Sequence, residues 1–260
     1  MVYEQAVVLG NQEIGPGHHL LTLRVARPLP ELRAGQFANL RCDPADRYSL
    51  LRPFSILDAD PLAGTLSIYC KQLGRLSSIL ATVPAMARLD CLYPLGNGFP
   101  WREDLRRVAL VGGGTGLAPL LFWARQLEPY GAGMEVAGYF GGATGADLVP
   151  ELLGDYSFPM HLATMDGSVG FHGTVVELFA GHAEPCDAVY VCGPNAMMAA
   201  LQSVLPPGCQ AYASLEEYMA CGVGACLGCA ARIREDGAVA HRTVCKDGPV
   251  FDLRQVEFAQ

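Results

Sequence analysis

The stretch SLEEYMACGVGACLGCAARIREDGAVAHRTVCKDGPVF, at residues 214–251, decides how the rest of the chain is interpreted. Cys221, Cys226 and Cys229 occur close together with the spacing C-x4-C-x2-C, and Cys245 follows after a segment whose pattern indicates a hairpin. This is the spacing of the plant-type [2Fe–2S] site, in which four thiolates bind two irons. The sequence therefore predicts that these four cysteines ligate a [2Fe–2S] cluster.

Three glycines between the first three cysteines support that prediction. Gly222, Gly224 and Gly228 would let the backbone take positive φ angles and bring amide N–H groups close to sulfur. A structural zinc site is the alternative, because four cysteines also suit tetrahedral zinc. Zinc sites usually contain two short C-x2-C pairs, however, and only Cys226 and Cys229 form one. The spacing therefore favours iron over zinc.

The remaining cysteines show no motif spacing: Cys42, Cys70, Cys91, Cys186, Cys192 and Cys209. We expect each to be a reduced, buried apolar residue. The N-terminal sequence MVYEQAVVLGNQEIG has neither a basic n-region nor an apolar h-region, so no export signal is visible and disulfides are not expected. These features predict a cytoplasmic protein.

The composition is that of a globular protein, with 51% hydrophobic and 17% charged residues, and a length of 260 residues predicts two or three domains. The net charge of -8 argues against nucleic acid or an anionic membrane as a partner. Residues 108–124 carry no charge, but GGGTG and Pro119 interrupt them. A strand, a turn and a helix are therefore predicted there, and no membrane-spanning helix.

Residues 1–102 are predicted to form an antiparallel β-barrel. Apolar and polar residues alternate at residues 21–25 and 66–71, for example, and proline or glycine punctuates the region frequently. A period of two marks half-buried strands, and many short strands with frequent turns favour a small barrel.

Two short motifs in this region have chemistry that suits an anionic cofactor with a flat ring. Arg52-Pro53-Phe54-Ser55 offers a fixed cation, an aromatic surface and a hydroxyl, although such a motif alone is more often an ordinary strand entry. Tyr69 and the turn Gly74-Arg75-Leu76-Ser77 form the second set. The turn enters a short predicted helix whose N–H groups would hold a pyrophosphate, whereas Tyr69 alone is more often a packed strand aromatic.

Residues 103–211 are predicted to form a parallel α/β domain that binds a nucleotide. The apolar strand at 107–111 leads into the turn Gly112-Gly113-Gly114-Thr115-Gly116, and helical spacing continues to Leu127. A glycine-rich turn between strand and helix lets a phosphate approach the positive end of the helix. The turn departs from the ordinary dinucleotide fingerprint, because Leu117 stands at the place of the third glycine.

Further strands at 135–140, 160–164 and 188–192 alternate with helices at 174–180 and 195–205. Ligands of such sheets bind at the carboxyl ends of the strands, where Cys192-Gly193-Pro194 and Asp166-Gly167-Ser168 both lie. The segment at 141–144 has no Arg or Lys for a 2′-phosphate, which favours NAD over NADP. Cys192 is interpreted equally as a thiol near the nicotinamide and as a buried structural residue.

The combination of RPFS, GGGTGLAPL, CGP and a cysteine-rich tail resembles the ferredoxin–NADP reductase superfamily. More narrowly, CGVGACLGC with SLEE before it and VCKDGPVF after it is similar to the electron-transfer subunits of NAD-dependent (type B) dihydroorotate dehydrogenase. The segments at 94–99 and 166–168 also match that family, so the resemblance covers essentially the whole chain. It implies three domains: a FAD-binding barrel at 1–102, an NAD-binding domain at 103–211 and a [2Fe–2S] domain at 212–260.

The resemblance also implies roles for individual residues. Arg52 and Ser55 would hold the flavin and its phosphates, and Pro53 and Phe54 would shape the ring site. The flavin tail would lie along Ile68, Tyr69 and Cys70, with its pyrophosphate at Gly74 and Arg75. The chain departs from the family at residues 72–75, QLGR, where relatives tend to have a glycine–threonine pair. The resemblance therefore supports the first flavin contact more strongly than the second.

The family implies an electron relay. A partner subunit that contains FMN would oxidise dihydroorotate, and electrons would pass through the cluster and FAD to NAD⁺, in a heterotetramer with two copies of each chain. No residue here suits acid–base chemistry on dihydroorotate, so that step is assigned to the partner. The alternative enzyme is the reductase subunit of a hydrogenase-, sulfur- or ferredoxin-linked complex; some of these have Asp at the place of Cys221. A flavin-binding regulatory module without turnover is the third hypothesis.

Overall fold

The computed structural model describes residues 1–25, 28–43, 45, 49–130 and 133–258. An N-terminal barrel, a central α/β sheet and a C-terminal cysteine-rich unit follow one another along the chain, which confirms the predicted fold class. Among the described residues, no helix is long and apolar enough to cross a membrane.

The N-terminal barrel is closed by six antiparallel strands in the order β1-β2-β5-β4-β3-β6. The strands are β1 (Val2–Gly15), β2 (His18–Arg24), β3 (Phe37–Leu40), β4 (Arg52–Asp60), β5 (Thr65–Lys71) and β6 (Arg88–Leu95), and helix α1 (Arg75–Ala81) connects β5 to β6. The alternation in the sequence has its expected effect, because Leu21, Leu23, Leu66 and Ile68 are all at most 1% exposed inside the barrel. The predicted barrel is therefore confirmed.

The central sheet has seven strands in the order β10-β9-β8-β7-β11-β12-β15. Its elements are β7 (Arg107–Gly113), α2 (Leu117–Leu127), β8 (Glu135–Gly142), α3 (Pro150–Leu153), β9 (Met160–Thr164), β10 (Phe171–His172), α4 (Val175–His182), β11 (Ala188–Cys192), α5 (Asn195–Val204) and β12 (Gln210–Ser214). All these strands run parallel, as the βα alternation predicted.

The sequence analysis did not predict three strands of this sheet, β10, β12 and β15. Strand β15 (Val250–Asp252) comes from the C-terminal tail and pairs antiparallel with β12 at the edge of the sheet. The remaining C-terminal strands, β13 (Ala230–Glu235) and β14 (Ala238–Thr243), form the predicted hairpin. The domain boundaries remain predictions. Strand β12 spans the predicted boundary at residue 211. The cysteine-rich unit is joined to the sheet at both ends, because β12 precedes it and β15 follows its last cysteine.

The α2 helix and two polar side chains join the barrel to the sheet. Gln126 on α2 donates to the Leu32 carbonyl at 2.8 Å and accepts from the Ala34 amide at 2.8 Å. Arg125 on the same helix forms an ion pair with Asp58 of β4 at 2.8 Å. These contacts hold α2 against the barrel, and Thr115 and Ala118 near the start of that helix line the same cleft as Arg52 of the barrel.

An exposed carboxylate at the amino-terminal edge of the sheet stabilises the start of β7. Asp187 Oδ2 accepts from the amides of Arg106 and Arg107, both at 2.8 Å, and these bonds lower the pKa of the carboxyl. We expect Asp187→Asn to lower the free energy of unfolding at neutral pH by about 1 kcal/mol, since solvent screens this exposed group. Because folding lowers the pKa, the carboxylate of Asp187 contributes its full stabilisation above the ordinary pKa of 3.8. This stabilisation is lost as the pH falls below that value.

Urea denaturation of both proteins at neutral pH and near pH 3 measures this difference. The two free energies should converge at the acidic pH. A difference that stays the same at both pH values would contradict the carboxylate's role.

Candidate functional site

A cleft of about 870 Å³ lies between the barrel, the sheet and the cysteine-rich tail. Its barrel side is formed by the predicted residues Arg52, Pro53, Phe54 and Ser55 at the start of β4, together with Tyr69, Cys70, Gly74 and Arg75. Its sheet side includes Thr115 of the glycine-rich turn and Asn195. The structure thus brings the two predicted barrel motifs to one cleft with the glycine turn.

Ile68 is the predicted flavin residue that does not line this cleft. Its side chain is fully buried in the hydrophobic core of the barrel. In the turn at 73–77, Ser77 Oγ accepts from the amides of Leu73 and Gly74 at 2.9 and 3.1 Å. That hydroxyl occupies two of the N–H groups of the QLGR segment, and the pyrophosphate contact there remains a prediction.

A polar network borders the cleft where the barrel meets the sheet. The Tyr69 hydroxyl is 2.5 Å from His18 Nδ1, and the Lys71 ammonium bonds to Asp147, which follows β8. Burial lowers the pKa of His18 and raises that of Tyr69. Burial opposes ionisation of Asp147, but the bonds from Lys71 and from the Thr144 amide lower the pKa of its carboxyl. Asp147 is therefore an anion that ties the two units together.

The glycine turn and the CGP segment contact each other at the carboxyl ends of β7 and β11. A Cβ atom on Gly116 would lie 2.1 Å from the carbonyl oxygen of Cys192, and one on Gly193 would lie 3.1 Å from the amide of Gly113. Such close backbone approach requires glycine at these positions. Cys192 is fully buried and burial raises the pKa of its thiol well above the usual value, so its two interpretations remain open.

The predicted nucleotide residues therefore form one ledge at the carboxyl end of the sheet. Its members are Gly112, Gly113, Gly114, Thr115, Gly116, Cys192, Gly193 and Pro194. At the end of β8, Gly142 precedes Ala143 and Thr144, and no Arg or Lys lies in that segment. The preference for NAD over NADP remains a prediction.

Sequence reasoning missed the segment Ser214–Met219 as part of the cleft wall, although all six of its residues line it. The segment leaves the carboxyl end of β12, and that position was the signal that could have placed it there. Glu216 lines the cleft. Burial by the surrounding protein raises the pKa of its carboxyl. The same segment leads within two residues to Cys221, so the cleft and the cysteine loop are neighbours.

The four predicted ligands come together in two pairs of thiols. Cys221 contacts Cys226, and Cys229 contacts Cys245. Backbone amides also point at the sulfur atoms: Cys226 N lies 3.4 Å from Cys221 Sγ, and Gly224 N lies 3.1 Å from Cys245 Sγ. The N–H groups of Val223 and Cys226 lower the pKa of Cys221 to about 6, whereas burial raises the pKa of Cys245 to about 12.

This donor set fits a two-iron cluster. Tetrahedral zinc needs its ligands to converge on one point, whereas a [2Fe–2S] cluster takes two thiolates on each of two irons. The paired arrangement and the N–H donors to sulfur therefore favour the cluster over zinc.

The glycines of the loop differ in part from the prediction. Gly222 and Gly224 have φ angles of +70° and +80°, as expected for a chain that winds around a cluster. Gly228 does not have a positive φ; Leu227 takes that conformation instead, at +59°. The prediction for Gly228 was wrong because the turn places the left-handed residue one position earlier, between Cys226 and Gly228.

The six other cysteines behave as expected with one exception. Cys42, Cys70, Cys91, Cys192 and Cys209 are buried, whereas Cys186 is half-exposed and its Sγ lies 3.5 Å from that of Cys209. The two thiols are brought together because they precede the neighbouring strands β11 and β12.

Comparisons with known proteins bear on the whole chain. Residues 216–257 match the iron–sulfur cluster binding domain of dihydroorotate dehydrogenase B. The chain is 37% identical to the dihydroorotate dehydrogenase B (NAD(+)) electron transfer subunit of Shouchella clausii, over 85% of each protein. It is 34% identical to that of Enterococcus faecalis, over 97% of each. The chain belongs to the family of dihydroorotate dehydrogenase B electron transfer subunits. The resemblance inferred from the cysteine-rich tail is thereby confirmed.

Solved structures agree with this family in fold. A chain of the NADH-dependent reduced ferredoxin–NADP oxidoreductase superposes with a TM-score of 0.84 at 25% identity, covering 98% of this subunit and 90% of that chain. A ferredoxin reductase of carbazole 1,9a-dioxygenase superposes with a TM-score of 0.67 at 20% identity, over 79% of this subunit and 67% of that chain. The second similarity covers less of this subunit and, at its low identity, shows the fold alone.

Proposed function

We propose that this chain receives electrons from a partner subunit that oxidises dihydroorotate. It passes them through a [2Fe–2S] cluster and FAD to NAD⁺. The observation that carries the proposal is the continuity between Ser214–Met219, which lines the cleft beside the RPFS motif, and the paired cysteines that follow. Oxidation of dihydroorotate to orotate releases two electrons and two protons in the partner. Reduction of NAD⁺ takes up both electrons and one proton.

The cofactors of the relay are FAD, a [2Fe–2S] cluster and NAD(H). When they are bound, FAD exchanges two electrons as a hydride with NAD(H) and single electrons with the cluster. The role of this chain would be to bind the three groups near one another, at the cleft, the glycine turn and the cysteine loop. No residue of the cleft is required for chemistry on dihydroorotate itself.

The flavin would be held by the barrel side of the cleft. Arg52 supplies a permanent cation for its phosphates, and the Ser55 hydroxyl is available to a ring nitrogen. Pro53 and Phe54 border the ring site, and the tail would pass Tyr69 and Cys70 toward Gly74 and Arg75. The side chain of Ile68 points into the barrel, so only its backbone would contribute.

The nicotinamide dinucleotide would lie on the glycine ledge. The backbone at 112–116 can approach a pyrophosphate closely because a Cβ there would meet neighbouring groups, as at Gly113 and Gly116. Cys192-Gly193-Pro194 borders the same place from β11. A nicotinamide on this ledge would face the flavin cleft, whose wall includes Thr115.

The proposed partner is an FMN-containing dihydroorotate dehydrogenase subunit, with two copies of each chain in a cytoplasmic heterotetramer. The name of the relatives as electron transfer subunits supports a catalytic partner. The net charge of -8 argues against nucleic acid or an anionic membrane in its place.

The surface around the cysteine loop is the proposed contact with that partner. Leu227 is 65% exposed, Val223 is 39% exposed and Tyr218 is 93% exposed. Met219, in the same segment, is only 8% exposed and packs in the core, so it does not belong to this surface. Exposed apolar side chains beside the ligands suit an interface that must bring the cluster close to the partner.

Leu227→Asn is expected to weaken binding of the dihydroorotate-oxidising subunit at least about tenfold, since it removes a central apolar contact. Asparagine tolerates the left-handed backbone of this position, so the loop itself should not be strained. Leu62→Asn, in the exposed turn between β4 and β5, is the matched control. Affinity measured by titration calorimetry should fall only in the first variant, and equal affinities would exclude this surface.

The function is tested by co-expressing the chain with the dihydroorotate-oxidising subunit and purifying the complex anaerobically. We expect iron and sulfide in equal amounts, bound FAD, and NADH formation that depends on dihydroorotate. Stoichiometric zinc without iron would overturn the relay. A cluster and FAD with NADH oxidation, but no response to dihydroorotate, would instead favour a reductase subunit of a hydrogenase-, sulfur- or ferredoxin-linked complex.

A further inference from the structure

Asn39 has a fully buried side-chain amide with no hydrogen-bond partner among the residues that the structure describes. It lies on β3 of the barrel with an exposed fraction of 0%. Neither Oδ1 nor Nδ2 has a hydrogen-bond partner among the described residues. Buried polar groups are nearly always paired, because an unpaired one loses its hydration without compensation. An amide in this state indicates a partner outside the described part of the chain.

The Asn39 amide is directed at the cysteine loop. A Cβ atom on Gly222 would lie 2.1 Å from Asn39 Nδ2 and 3.3 Å from its Cγ. Gly222 directly follows the ligand Cys221 and has a φ of +70°, so both its conformation and the neighbouring amide require glycine there. The amide therefore packs against Gly222, the residue that follows the first predicted ligand.

The flavin is not the expected partner of this amide. Asn39 pairs with Pro53 in the β3–β4 ladder, yet Asn39 does not line the cleft that contains Pro53, Phe54 and Ser55. The printed contact of the amide is with Gly222 of the cysteine loop, so the Asn39 side chain lies against that loop and outside the cleft lining.

We propose that Asn39 donates its side-chain N–H to a sulfur of the [2Fe–2S] cluster and so raises the reduction potential of that cluster. Reduction adds negative charge to the cluster, so a hydrogen-bond donor stabilises the reduced form more than the oxidised form. This inference rests on the proposed function, because it requires the cluster to be present. The proposed donor is a barrel residue and lies outside the cysteine motif.

Asn39 would add one hydrogen-bond donor to those that the backbone of the cysteine loop supplies. Backbone amides of Val223, Gly224 and Cys226 already lie 3.1–3.5 Å from cysteine sulfurs. Asn39 adds a donor from another unit of the protein, and its complete burial prevents water from taking the place of the amide. The cluster would in this way be tuned by the same barrel that holds the flavin.

The test compares wild-type complex with Asn39→Leu, which keeps the approximate shape and removes the donor. The potential of the cluster is measured by redox titration followed by EPR. We expect Asn39→Leu to lower the equilibrium constant for reduction about tenfold, a shift of 59 mV for one electron. Asn11→Leu is the matched control, because Asn11 Nδ2 donates to the carbonyls of Leu80, Ala81 and Val83 far from the loop. Its loss should reduce stability and leave the potential unchanged.

A second measurement uses the wild-type protein and does not depend on the folding of a variant. The chain contains four asparagines, and side-chain labelling with ¹⁵N followed by pulsed EPR of the reduced cluster should reveal a coupled amide nitrogen. Absence of that coupling, or an unchanged potential in a folded Asn39→Leu complex, would overturn the inference while leaving the relay intact. Absence of any [2Fe–2S] signal in the wild type would overturn the proposed function as well.

Discussion

Cys226→Ala is expected to lose at least about nine-tenths of the cluster iron and sulfide while keeping its FAD. Removal of outer-shell partners alone typically costs 10- to 100-fold in metal affinity, so loss of a ligand should cost at least as much. Cys226 is exposed at the tip of the loop, and the rest of the chain should therefore fold normally. Iron, sulfide and flavin analysis of the anaerobically purified complex measures the effect.

The same variant separates the two halves of the relay. NADH should still bleach the flavin, because the glycine ledge and the cleft do not contain Cys226. Dihydroorotate should no longer reduce NAD⁺, because the step between the partner and the flavin is broken. Loss of both reactions would instead mean that the cluster unit supports the fold of the cleft.

Cys186→Ala is the matched control for this ligand variant. Cys186 is also accessible, and it has another thiol nearby, since its Sγ is 3.5 Å from that of Cys209. It lies at the amino-terminal edge of the sheet, outside the four ligands. Full cluster content in this variant, together with a depleted Cys226→Ala, would assign the loss to ligation. Full cluster content in Cys226→Ala would contradict the ligand set.

Local patterns in the sequence were sufficient to predict the elements that bear the site. Strands β9 and β11 begin and end at the predicted residues, because short apolar runs flanked by turn residues define both ends of a buried strand. The four cysteines predicted to be ligands could be singled out for the same kind of reason. Their spacing is a local property of one loop and a hairpin, and the structure preserves that locality.

The contacts between units were not predictable in this way. Nothing in the alternation of residues 250–252 indicates that β15 pairs with β12, because that partner lies far away in the chain. Asn39 likewise appears as an ordinary polar residue in a barrel strand. Its significance depends on Gly222, which approaches it from a different unit. Long-range packing decides such contacts, and a single sequence carries little information about it.

The motif at 94–99 shows how tertiary structure gives a role to a sequence match. Asn97 Nδ2 donates to the carbonyls of Asp247 and Val250, and Oδ1 accepts from the Val250 amide at 2.9 Å. The resemblance had identified this segment without a function. In the structure it fastens the barrel to the end of the cysteine-rich tail. The contact joins the barrel that bears the RPFS motif to the segment that follows Cys245.

Gly116→Ala is expected to weaken NADH binding at least about tenfold and to lower the free energy of unfolding by roughly 2–3 kcal/mol. The added methyl group would lie 2.1 Å from the carbonyl oxygen and 2.4 Å from the carbonyl carbon of Cys192. Both are backbone atoms of the sheet, so the clash cannot be relieved by rotation of a side chain. The glycine turn would have to move away from β11, and the ledge on which the pyrophosphate is proposed to lie would open.

Stopped-flow measurement of flavin reduction against NADH concentration, together with urea denaturation, checks both effects. Gly181→Ala is the control, since that glycine lies in α4 and no atom is within 4 Å of its added Cβ. Alanine is the better helix former, so this variant should gain about 0.5–1 kcal/mol and bind NADH normally. Both variants add one methyl group, but they are expected to change the free energy of unfolding in opposite directions. The difference between them therefore isolates the contact with Cys192. Wild-type NADH affinity in a destabilised Gly116→Ala would show that the turn serves packing alone, and that the nucleotide lies elsewhere on the sheet.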